Sequence, residues 1–158
     1  MNKPFLKLIF FLTFLLLTAC AYEPIFKEKN YNFEVGEITL SGEKDTNRII
    51  KNKLNLIKED KNKFKKKYDI SIDTEKYREI ISKNSQGDPL KFELNLSVNY
   101  IISENQKTLV KREITKKYIY NNISDKFKLE QDEKIILENL SEEISDIIIS
   151  SIINLNDN

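Results

Sequence analysis

Apolar and polar residues change rhythm along this chain in a way that outlines six elements. NFEVGEITLSG has strand character, with Phe33 and Val35 in one phase and Ile38 and Leu40 in the other. Gly36 sits at the change of phase, where a bulge would return all four to one face. EKDTNRIIKNKLNLIKED predicts a helix capped by Asp45 or Thr46, with Ile49, Ile50, Leu54 and Ile57 as its apolar stripe. KYDISIDT alternates through Tyr68, Ile70 and Ile72, and the SKNSQGDP that follows has turn chemistry. The clearest period of two is LKFELNLSVNYII. Leu90, Phe92, Leu94, Leu96, Val98, Tyr100 and Ile102 face one way; Lys91, Glu93, Asn95, Ser97 and Asn99 face the other. SENQK predicts a hairpin connection to TLVKREITKKYIY, which alternates through Val110, Ile114, Tyr118 and Tyr120 and sets Lys111, Glu113, Thr115 and Lys117 opposite. NNISDKFKL reads as a loop. EKIILENLSEEISDIIISSIINL reads as a long amphipathic helix burying Leu137, Leu140, Ile144, Ile147 or Ile148, and Ile152.

The order is therefore β-α-β-β-β-α, and the expected fold class is α+β: a four-stranded mixed sheet with two helices packed on one face. A parallel first β-α-β unit would cross over right-handed. The opposite sheet face is polar. It suits solvent, or a wet interface with a partner of mixed polarity such as the lumen of a large β-barrel. Tyr118 and Tyr120 continue the inward phase, which assigns them to core or rim packing rather than to a ligand pocket.

The first 31 residues follow a different logic. Lys3 and Lys7 precede an apolar run from Leu8 to Leu17, broken only by Thr13. That run is about half of the ~20 residues a helix needs to span a bilayer, so it fits the apolar region of a signal peptide. Leu17-Thr18-Ala19-Cys20 fits the bacterial lipobox. Leu17, Thr18 and Ala19 are the peptidase-recognition residues, a branched apolar side chain and two small ones that admit the peptide bond, and the Cys20 thiol is the nucleophile that accepts a diacylglycerol. Residues 1–19 are read as a lipoprotein signal peptide, 20–31 as a lipidated tether containing Pro24, and 32–155 as a single domain. With diacylglycerol and an N-acyl chain on Cys20, two or three chains give stable anchoring where one would be marginal. Ala21, rather than Asp, directs such a lipoprotein to the outer membrane.

Composition narrows the chemistry. The chain of 158 residues has no histidine and a single cysteine. Imidazole bases, Cys-His pairs, thiolate zinc cages and internal disulfides are thus excluded. No phosphate-cradling glycine loop is present, and only three glycines are available. Carboxylate pairs such as Glu142 and Glu143 fit a solvated helix face better than an acid and a base. No enzyme, cofactor or metal site is expected. Without Lys3 and Lys7 the mature chain has 24 basic and 25 acidic side chains. This near-neutral balance gives no overall attraction for nucleic acid.

CAYEPIF resembles the start of LPS-assembly lipoproteins of the LptE-like family, matching at Cys20, Tyr22, Pro24, Ile25 and Phe26 and departing at Ala21, where glycine is common. TNRIIKNKL is similar to that family's first helix, and the block from KFELNLSVNYIIS through ITKKYIYNNISDKF to the last helix follows it in order. The resemblance implies a sheet with two helices that plugs the LptD outer-membrane β-barrel, helps assemble it and assists delivery of lipopolysaccharide (LPS) to the outer leaflet. The alternative is a stand-alone periplasm-facing lipoprotein that binds or carries a lipid or envelope polymer. LPS is anionic near lipid A, so exposed lysines are its natural contacts. The lysine run Lys58, Lys61, Lys63, Lys65, Lys66 and Lys67 fits a solvated helix end better. Topology instead sets Lys44, Lys83 and Lys126 at one end of the sheet, the run and SENQK at the other. Lys83 and Lys126 are therefore the expected LPS contacts if that end enters the barrel.

Overall fold

The computed structural model describes residues 33–57 and 66–156. The signal peptide, Leu17, Thr18, Ala19, Cys20, the tether, and Lys58, Lys61, Lys63 and Lys65 lie outside the described residues. The elements follow the order β1 (Phe33–Gly42), α1 (Lys44–Leu56), β2 (Lys66–Lys83), β3 (Pro89–Glu104), β4 (Lys107–Asn121) and α2 (Lys126–Asn156). The four strands form one sheet in sequence order; β1 and β2 are parallel, and the β2-β3 and β3-β4 pairs are antiparallel. The fold is α+β, a mixed sheet with both helices on one face, as the alternation of the sequence requires.

The bulge lies where the phase of β1 changes. Val35 pairs with Tyr68 but Ile38 with Ile70, so one extra residue is taken up between them, and the Glu37 N–H donates to Asp69 Oδ1 at 2.9 Å. Phe33 and Val35 are buried, and Ile38 and Leu40 pack against the same core. β1 ends at Gly42, whose φ is +89°. A Cβ there would lie 1.8 Å from the Thr74 carbonyl oxygen, so only glycine lets the chain turn off the sheet at this point. α1 then starts on Glu43, whose carboxylate accepts from the Thr46 N–H at 2.6 Å. The cap is Glu43 rather than Asp45 or Thr46. Thr46 is buried, where its hydroxyl accepts from Ser141 of α2 at 3.3 Å.

Two boundaries differ from the sequence reading, both because turn-type residues are held in regular structure by their neighbours. β2 does not stop at Thr74 but runs nine residues further, pairing with β3 as far as Lys83 opposite Pro89. Of SKNSQGDP, only Asn84 to Asp88 forms the turn. Likewise NNISDKFKL is a loop only to Asp125, whose carboxylate accepts from the Lys128 N–H at 3.0 Å, and α2 begins at Lys126. SENQK closes more tightly than a loop: Asn105 and Gln106 both have positive φ, the geometry of a two-residue hairpin turn.

The core lies between sheet and helices. Tyr68, Ile70 and Ile72 of β2, Leu94 to Ile102 of β3 in alternation, Ile50 and Leu54 of α1, and Leu137, Leu140, Ile144, Ile148 and Ile152 of α2 are its buried members. Of the two isoleucines offered at that turn of α2, Ile148 is buried and Ile147 faces outward. Leu90, placed inward by the alternation, is exposed.

Candidate functional site

Most of the exposed large apolar side chains lie at the upper end, beyond the level of Thr74. Here β2, β3 and β4 continue without β1 or α1. Lys83 is the last residue of β2 and is exposed. The turn after it is rigidly built: Asn84 Oδ1 accepts from the N–H groups of Gln86 at 3.0 Å and Asp88 at 2.8 Å. Lys126 reaches the same end. Asn122 ties its loop to β3, its N–H donating to Leu90 O at 2.8 Å and its amide to Pro89 O at 2.7 Å. The Lys126 ammonium donates to Asn122 Oδ1 at 2.8 Å and to Ile123 O at 3.0 Å. Lys126 therefore holds its own loop, whereas the ammonium of Lys83 has no partner among the described residues. Lys44 does not join them. It starts α1 at the level of Thr74, about 30 Å below Lys83 along β2.

Apolar side chains surround these lysines. Ile80, Ile81, Leu90, Ile119 and Phe127 are all exposed, Phe127 to 71 %. A surface of cations among bare hydrocarbon can meet an amphiphile with an anionic head. The periodicity had no reason to mark it, because Ile80 and Ile81 lie between KYDISIDT and SKNSQGDP, where no element was read, and Phe127 lies in a stretch that read as loop.

Beneath the tip, the first half of α2 is pinned to the sheet by Glu133. Its carboxylate accepts from Arg78 at 2.8 Å and from the Tyr120 hydroxyl at 2.6 Å, while the guanidinium lies 4.6 Å from the centre of the Phe92 ring. The Glu133 hydrogen bond raises Arg78 above its ordinary pKa, and burial, then the same carboxylate, pushes the Tyr120 phenol up. Tyr118, one strand pair lower, is half exposed. It lines a cleft of about 390 Å³ between β4 and α2 together with Tyr120, Ile135 and Ile136. Both tyrosines thus sit at the rim.

The opposite sheet face is mostly polar, as expected, but also carries Tyr77, Ile101 and Ile119. Asn95 is fully buried there, flanked in register by Tyr77 and Lys117, and its amide makes no hydrogen bond of good geometry. It lies near Glu93, whose carboxyl is held below its ordinary range first by Lys117, 3.0 Å away, against a small desolvation, and then by Asn95 itself. Lower on this face, Thr39, Ser41, Ser71, Asp73, Asn99 and Lys111 border a shallow hollow of about 370 Å³. Lys66 and Lys67, the described members of the lysine run, are exposed at the far end of β2. Among the described residues no metal-ligating side chains cluster, and no helix is long and apolar enough to cross a membrane.

No protein-family model matches the chain, and no curated protein matches its sequence. Solved structures do. Lipoprotein B from Nitrosomonas europaea superposes with a TM-score of 0.63 at 14% identity, over 83% of this chain and 92% of that one. Rare lipoprotein B from Shewanella oneidensis gives 0.57 at 15%, over 74% and 93%. A minor lipoprotein from Acinetobacter baumannii gives 0.54 at 16%, over 75% and 92%. The chain has the fold of these bacterial lipoproteins over nearly their whole length.

Proposed function

We propose that this chain is an outer-membrane lipoprotein, acylated at Cys20, that plugs and helps assemble the LPS-export β-barrel of LptD type and assists delivery of LPS to the outer leaflet. The observation that carries this reading is a fold in common with bacterial lipoproteins, joined in one sequence to a lipobox at Leu17-Thr18-Ala19-Cys20. The polar sheet face supports it, since a mixed-polarity surface is what a water-filled barrel lumen accepts. The tip supports it too. Lys83 and the apolar side chains around it suit a ligand with anionic groups and hydrocarbon together, and Lys126 joins them if its loop opens. The role is one of binding and assembly, without catalysis or a cofactor beyond the acyl chains.

Tagged lipoprotein purified from mild detergent tests the assignment. A β-barrel should come with it in near-equal amount, and depletion of the lipoprotein should leave that barrel misassembled. A lipoprotein that fractionates alone and binds lipid without a barrel would overturn the plug reading in favour of a stand-alone carrier. Charge reversal of Lys83 should weaken LPS binding severalfold with the fold intact. Reversal of Lys126 should also loosen its loop.

A further inference from the structure

The sheet face turned away from the helices has no second layer among the described residues, yet it holds a fully buried amide. Asn95 sits on β3, the middle one of the three strands that continue past Thr74, between Tyr77 of β2 and Lys117 of β4. Neither its oxygen nor its nitrogen has a hydrogen bond of good geometry. Buried polar groups are nearly always partnered, and one left unmet opposes folding. The cover over this amide is light. Lys117 keeps 54% of its side-chain surface open and is tied to Glu93 at 3.0 Å, a surface ion pair that costs little to part.

On the same face Tyr77 and Ile119 are 40% and 55% exposed. Around them stand charges of both signs, Glu75, Glu79 and Glu93 with Lys91 and Lys117. A desolvated polar group with apolar side chains beside it and charges at the rim is the anatomy of an interface centre. We infer that Asn95 is a specificity-determining contact of the plug: against the barrel wall, Lys117 moves aside and the Asn95 amide pairs with an asparagine or glutamine of that wall. The inference rests on the barrel assignment above and adds the residue that sets the register of the contact.

The chemistry of the amide, rather than the net charge around it, chooses this occupant. Asn95 presents a donor and an acceptor in one plane, and another side-chain amide answers both at once. A phosphate answers only the donor and meets Glu75, Glu79 and Glu93 here; an acyl chain answers neither. Shape agrees, since two sheet faces pack flat on each other and the inward side chains of barrel strands are polar. A second copy of this chain fits poorly. Laid face to face along β3 it brings Asn95 to Asn95, but it also sets Glu93 against Glu93.

The test uses the full acylated lipoprotein and the barrel that purifies with it. Wild type and variant are co-expressed from equal gene copies with different tags, and the share of the barrel that each holds reads their relative affinity. Asn95→Val keeps the shape and removes the amide. It should leave the free lipoprotein at least as stable as the wild type, yet hold about tenfold less of the barrel. Asn95→Thr, of valine's size but with a hydroxyl that donates and accepts, should regain part of that loss. Asn99→Val, exposed lower on the same face, should leave the share unchanged. Five results would each overturn the inference: an equal share for Asn95→Val and wild type, an equal loss for valine and threonine, an equal loss for Asn99→Val, a less stable Asn95→Val lipoprotein, or a loss confined to LPS binding. A wild type that brings no barrel sinks the assignment and this inference together; a barrel held equally by both forms sinks the inference alone.

Discussion

Glu43 serves two ends at a single bend. Its N–H donates to Thr74, closing the end of β1 against β2, and its carboxylate caps α1 while lying 3.7 Å from the Lys76 ammonium. Burial opposes ionisation here, yet the Thr46 and Asp45 hydrogen bonds and the Lys76 charge outweigh it and hold the carboxyl below its ordinary 4.5. A depressed carboxyl lends stability that is fully present above its unfolded value and is lost as pH falls through the folded one. Glu43→Gln should therefore be less stable than the wild type at neutral pH, with the gap narrowing below pH 4.5; urea midpoints across that range read it. Asn95 makes the opposite case. A fully buried amide without a good hydrogen bond costs about 1–3 kcal/mol, so Asn95→Val should raise the unfolding free energy by about 1 kcal/mol or more. A loss of stability would mean that the amide is satisfied in solution.

α2 shows how the elements share the load. Its 31 residues extend about 46 Å, long enough to pack on α1 with one half and to back the upper sheet alone with the other. Ile144 is fully buried in the first of these regions and Phe127 is mostly exposed at the start of the second. Ile144→Ala should cost about 2–5 kcal/mol, and Phe127→Ala less than about 0.5, in chemical denaturation. The contrast also explains what the sequence could disclose. Wherever both a helix and the sheet cover a strand, burial imposes a strict period of two, as from Phe92 to Ile102, and the element is readable. Past Thr74 β1 and α1 are gone, and β2 becomes an edge strand backed by α2 alone. Backbone pairing with β3 holds TEKYREIISK extended whatever its side chains prefer, so neither the length of β2 nor its open edge left a mark in the pattern. The start of α2 escaped for a related reason: in its first turn only Leu129 is buried, too little to set a period. Lys83 and Lys126 were placed at one end correctly because strand direction alone decides that. Lys44 was misplaced because strand lengths do not follow from direction.

At the scale of the molecule, the signal-peptide reading makes a direct demand: Cys20→Ser should leave the protein unacylated and move it from the membrane fraction to the soluble one. The way β1 enters the sheet sets a further limit. Phe33 lies opposite Lys66, so the segment leading from Cys20 joins the body at the pole farthest from Lys83, and β2 between those residues is about 55 Å tall. From Cys20 to Phe33 the chain can stretch at most about 45 Å. If the Lys83 end enters the barrel and Cys20 is acylated, a cysteine held at the leaflet surface cannot climb to the height of the tip, which must project at least about 10 Å past that surface. The leash is thereby a depth gauge. Inserting a flexible stretch after Phe26 should free the body to hang lower and weaken its hold on the barrel, while removing Lys27 to Tyr31 should drive it deeper by about 17 Å, both measurable by cross-linking from Lys83.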